Sequence, residues 1–182
     1  MSDSTRAKQS ARAPHVPLTQ YYPDEPARAG FVKEMFDSTA VDYDRMEKVL
    51  SFGTGKWYRG QALKRAGLKP GMRVLDVGVG TGLVASEAAR IVGKPELVSG
   101  VDPSSSMMET AKVPVGVQLL NGTAEAIPFP DAHFDFLSMG YALRHIGDLS
   151  AAFREFHRVL KPGGRLCILE ITKPEGAVGT AL

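Results

Sequence analysis

The chain has 182 residues and a formal net charge of +2, with 22 Lys and Arg against 20 Asp and Glu. That length suits one domain, and the near balance of charge gives no reason to expect nucleic acid or an acidic surface as partner. The sequence holds no apolar run of about 18 residues, so membrane contact is expected to be peripheral at most.

Residues 1–26 are rich in Ser, Ala, Arg and Pro, and Pro14, Pro17, Pro23 and Pro26 work against a regular element. They read as a disordered N-terminal arm. An N-terminal helical region is expected over 27–70. Phe31, Met35, Phe36, Val41, Met46, Val49 and Leu50 fall mostly at helical spacing, 51–55 interrupts the pattern, and a helix over 57–66 stops at Gly67.

From residue 71 the chain alternates. Strands are predicted over 72–77, 97–101, 115–120, 133–139 and 165–171. Helices are predicted over 83–92, 104–112 and 149–160, the last with Phe153, Phe156, Val159 and Leu160 on one side. Strands alternating with helices predict an α/β fold, a doubly wound and mainly parallel sheet of five strands with right-handed crossovers. The single cysteine, Cys167, lies mid-strand; it allows no internal disulfide and fits the reducing cytoplasm. Four scattered His and one Cys suggest no metal cluster. His15, His133 and His157 read as surface residues.

The most informative stretch runs from Val74 to Gly82, where a buried strand turns through Gly78, Gly80, Thr81 and Gly82 into a helix. Glycines let the backbone bend sharply and approach a ligand closely, and a helix start offers N–H donors to a carboxylate or phosphate. The dinucleotide pattern wants a third glycine where Leu83 stands, and the Gly-Lys-Ser/Thr of a phosphate loop is absent. The turn therefore suits an amino-acid-like group better than a pyrophosphate. Asp102 closes the second strand, where a carboxylate can accept both hydroxyls of a ribose, or can instead cap the next helix. After the third strand, Thr123 and the N–H of Ala124 can meet an adenine edge, or form an ordinary polar loop.

Four segments stand in order: Asp76 to Gly82, Gly100-Val101-Asp102, 124–131, and Leu160-Lys161-Pro162-Gly163-Gly164. Together they resemble the seven-stranded, Rossmann-like S-adenosylmethionine-dependent methyltransferases. Phe36, Tyr43-Asp44-Arg45-Met46, Leu50-Ser51-Phe52-Gly53, Trp57, 141–145 and 169–174 resemble one branch, the ubiquinone/menaquinone biosynthesis C-methyltransferases.

The resemblance implies S-adenosyl-L-methionine as cofactor and a small-molecule acceptor, a demethylquinol that can carry a polyprenyl tail. It also leaves a homodimer open. The cofactor residues it implies are Asp76, Gly78, Gly80, Thr81 and Gly82, then Asp102 with Pro103, Thr123 with Ala124, and Gly140. The family often has a serine at the place of Gly140, and an Asp or Asn at the place of Thr123. For carbon methylation of a phenolic ring, removing the phenol proton puts electron density on the ortho carbon, and a general base would help. The candidates are Tyr43, Arg144 and His145. The family has an Arg-Asn pair at the last two places. His145 could take a proton near neutral pH, and Arg144 could stabilise a phenolate. Arg144 could equally pair with Asp148 or Glu155, and His145 could cap a helix.

Set against the resemblance, the 71–182 core is expected to lack the family's usual last strands. Two other readings therefore stand beside the first: an N- or O-methyltransferase of another small molecule or lipid head group, and a truncated, non-catalytic cofactor-binding remnant.

Overall fold

The computed structural model describes residues 54–170, preceded by Ala13, Ala27, Gly30, Phe31, Glu34 and Met35. The last five of these are helical. The arm expected over 1–26, Ala13 apart, lies outside the described residues, and so does Tyr43.

Helix α1 (Gly55–Arg65) turns Gly55, Arg59, Gly60 and Leu63 inward. Lys64 and Arg65 occupy its last turn, where cations complement the carbonyl end. Then follow β1 (Val74–Val77), α2 (Leu83–Val92), β2 (Val98–Asp102), the short α3 (Ser105–Glu109), β3 (Gln118–Asn121), β4 (Phe134–Gly140), α4 (Leu149–Val159) and β5 (Leu160–Leu169).

The strands form one parallel sheet in the order β3-β2-β1-β4-β5. The chain winds outward from β1 through β2 to β3, then crosses to β4 and β5 on the other side. The order therefore reverses between β1 and β4, the place where open α/β sheets form their ligand crevice.

Alternation along each strand divides the core in two. On one face Val74, Phe136, Cys167 and Leu169 pack with Leu63 of α1 and Ala85, Ala88, Ala89 and Val92 of α2. On the other, Leu75, Val77, Val101, Leu137 and Met139 pack with Ala152, Phe156 and Val159 of α4. Phe134, Phe136 and Phe156 are fully buried, each worth about 2–3 kcal/mol of transfer free energy. Among the described residues no helix is long and apolar enough to cross a membrane.

Three expectations need adjustment. The third strand starts later than the apolar run from Val115. Gly116 takes a left-handed φ of 106°, Val117 closes a turn onto Pro114, and Val115 is fully exposed. In α4 Phe153 points outward, and the buried side is Ala152, Phe156 and Val159. The Pro162-Gly163-Gly164 turn becomes a bulge inside β5, which pairs Leu160 with Phe134 and rejoins β4 at Arg165 opposite Phe136.

Candidate active site

The carboxyl ends of β1, β2, β3 and β4 lie along one edge of the sheet. They bring together the turn 78–82, Asp102 with Pro103, Thr123 with Ala124, and Gly140.

Gly78, Gly80 and Gly82 all take left-handed φ values, of 71°, 51° and 84°. At Gly78 the need for glycine is double. A side chain there would be strained, and its Cβ would stand 2.7 Å from the Cβ of Ala142 in the loop after β4. The turn is tied down by Gly78 and Val79 N–H donating to Val101 O at 2.8 and 3.0 Å. Met107 and Val113 approach it from the β2 side, Val113 packing against Gly82. Thr81 is 3% exposed, and its carbonyl accepts from Lys112 N–H.

Asp102 joins the turn to β2. One carboxylate oxygen accepts Gly80 N–H at 2.8 Å, and the other accepts Ser104 N–H at 2.8 Å. It is not the cap of the next helix: Ser104 is, through Met107 N–H donating to its Oγ at 3.1 Å. Asn121, which pairs with Asp102 across β3, donates its side-chain amide to the carbonyls of Asp102 and Pro103 at 3.3 and 3.1 Å. Asn121 is absent from the candidates drawn from sequence; its place at the end of the third strand was the available signal. Thr123 is exposed and Ala124 buried, and Glu125 accepts Gly147 and Asp148 N–H, linking this loop to the one after β4.

Asp76 is buried beneath the turn. It accepts Ser138 Oγ–H at 2.7 Å and the N–H of Ala85 in the first turn of α2. Burial pushes its carboxyl up to about 7, the two hydrogen bonds pull it down, and nearby Asp102 adds to the rise. A serine at Gly140, frequent in the family, would set its Cβ 2.6 Å from Val84 Cγ2, so Val84 or the backbone would have to shift.

Beyond Gly140 the backbone leaves β4 through Tyr141, a non-glycine residue at φ 60°, held by its N–H donating to Leu169 O at 2.7 Å. The 3₁₀ turn Leu143–His145 follows. Arg144 pairs with Glu170 at 2.7 Å, not with Asp148 or Glu155. Those two are engaged otherwise: Asp148 caps α4 by accepting Ser150 and Ala151 N–H, and Glu155 pairs with Arg158. His145 is half-buried and is not the α4 cap. His133 is half-buried too, edge-on to Phe134 with Arg73 3.0 Å from its ring nitrogen, so it is less of a surface residue than expected. Tyr43 remains outside the described residues.

Solved structures share this architecture. An S-adenosylmethionine-dependent methyltransferase from Aquifex aeolicus matches with a TM-score of 0.58 and 30% identity, over 65% of this chain and 66% of that one. Another from Thermotoga maritima matches with a TM-score of 0.59 and 34% identity, over 75% and 60%. The fold is therefore the Rossmann-like fold of the S-adenosylmethionine-dependent methyltransferases.

Within that class, residues 24–180 match the ubiE/COQ5 methyltransferase family, and the chain belongs to it. Ubiquinone/menaquinone biosynthesis C-methyltransferase UbiE of Shewanella sp. strain ANA-3 is 37% identical over 155 residues, 81% of this chain. The Shewanella woodyi protein of the same name is 38% identical over the same span. The chain covers 62% of the length of these relatives.

Proposed function

We propose that the chain binds S-adenosyl-L-methionine between the glycine turn and Asp102, and serves methyl transfer to a ring carbon of a demethylquinol. The observation that carries the reading is the Gly80–Asp102 hydrogen bond, which sets a carboxylate at the mouth of a glycine turn beside the sheet's switch point.

The residues fit the cofactor's parts. The start of α2 presents N–H donors toward the turn, suited to the amino-acid carboxylate. A carboxylate oxygen accepts more than one hydrogen bond, so Asp102 can keep its two backbone donors and still receive ribose hydroxyls. Thr123 and the Ala124 N–H follow β3, one strand further out, and would meet the adenine. Bound there, the cofactor supplies an electrophilic methyl group. The protein's own part is to align the acceptor, exclude water and manage one proton.

For that proton, His145 is the base and Arg144 the cation that stabilises the phenolate, with Tyr43 a further candidate. Pairing to Glu170 gives Arg144 a fixed direction without removing its charge. The similarity to UbiE supports carbon as the site of methylation, and the buried lone cysteine suits a cytoplasmic setting.

Incubation with a demethylquinol and methyl-labelled cofactor tests the reading. Label on ring carbon is expected; label on oxygen or nitrogen, or none, overturns it.

A further inference from the structure

Ser138 is a fully buried hydroxyl in the apolar stretch of β4, and its role is not explained by packing. The register sets Asp76 opposite Ser138, and Ser138 opposite Cys167, so the three form a polar row across β1, β4 and β5 on the α2 side of the sheet. Within this row Ser138 Oγ–H donates to Asp76 at 2.7 Å.

We propose that Ser138 is a positioning residue for the cofactor turn: its hydroxyl holds the Asp76 carboxylate against the first turn of α2. This rests on the cofactor reading above and deepens it.

The N-cap of helix α2 is Gly82, which has no side chain to cap it. Asp76 performs the capping from the preceding strand by accepting Ala85 N–H. An anionic acceptor at a helix N-terminus gains both a charge-assisted bond and a favourable dipole interaction. A neutral carboxyl loses most of this. Yet burial favours the neutral form.

The groups that act on Asp76 come from four elements. From β2, Asp102 opposes its ionisation. From α2, the Ala85 N–H supports it. From β5, Cys167 faces it, a thiol pushed up first by burial and then by Asp76 itself. From β4, Ser138 supports ionisation through the largest opposing contribution to burial. Through its 2.7 Å hydrogen bond, Ser138 thus favours the carboxylate form of the anchor.

The test compares the full chain with Ser138→Ala, Ser138→Cys, Ser138→Thr and Asp76→Asn, by calorimetric titration with S-adenosylhomocysteine and by urea unfolding, each from pH 6 to 9. In the parent chain, affinity rises with pH through a midpoint near that of Asp76. Ser138→Ala moves the midpoint up by about one pH unit or more and keeps the high-pH affinity. Ser138→Cys, whose thiol is a weak donor, falls between, and Ser138→Thr restores the parent profile. Asp76→Asn shows no such midpoint. The pH at which unfolding stability declines moves in the same way.

An unchanged midpoint in Ser138→Ala and Ser138→Cys, or a loss of affinity equal at every pH, overturns the proposal. If no variant, parent included, binds S-adenosylhomocysteine, the cofactor reading fails instead. The unfolding profiles then still decide whether Ser138 controls Asp76.

Discussion

Gly80 N–H and the Asp102 carboxylate meet at 2.8 Å across 22 residues of sequence. This bond turns two separate sequence signals, a glycine bend and an acidic strand end, into one surface at the place where the strand order reverses. The consequences of that geometry can be measured.

Gly78→Ala places a side chain at φ 71° and a Cβ 2.7 Å from Ala142. It should destabilise the fold by about 2–3 kcal/mol in urea unfolding and weaken S-adenosylhomocysteine binding. Gly163→Ala, at φ 79° with nothing within 4 Å, should lose only about 1 kcal/mol and leave binding unchanged. Equal effects of the two substitutions would contradict the packing of the turn against the loop after β4.

Asp76 titrates against the usual direction for a carboxylate. Its folded value is raised from 3.8 to about 7, so between about pH 4 and 7 the native state holds a proton that the unfolded chain has released. The resulting stability is fully present below about pH 4 and is lost as pH rises through about 7. Urea unfolding at pH 5 and pH 8.5 should therefore show a decline of about 3 kcal/mol from this group. Asp76→Asn should abolish it. A decline of the same size in Asp76→Asn would assign it elsewhere.

Arg144 and Glu170 form an ion pair whose side chains are 44% and 18% exposed. Solvent screening limits such a pair to about 1 kcal/mol or less of stability. Arg144→Ala should hence barely move the unfolding midpoint. If Arg144 stabilises a phenolate, kcat for methyl transfer should fall by about 10²-fold with the cofactor KM unchanged. A parallel loss in cofactor affinity would make Arg144 a binding residue instead.

Much of this was readable from residue order alone, for local reasons. The bounds of α2 follow from Gly82 and Gly93, both left-handed, on either side of an apolar helical run. The ends of β1 and β2 follow from the glycines and from Asp102. Register was not readable. Asp76 and Ser138 stand 62 residues apart, and Arg144 and Glu170 26 apart, and no local pattern announces either pair. The late start of β3 was hidden for a different reason: Val115 and Val117 look like strand residues, but Pro114 and Gly116 spend them on a turn. In the same way, Phe153 fits the helical period of α4 but is exposed, and the buried face is Ala152, Phe156 and Val159.

Calorimetric titration of the chain and of Asp102→Ala with S-adenosylhomocysteine, each first confirmed folded by circular dichroism, tests the central claim most directly. One saturable site is expected in the parent, with affinity lowered about a hundredfold or more in Asp102→Ala. A folded parent chain that takes up no ligand, or equal affinity in both proteins, would contradict it.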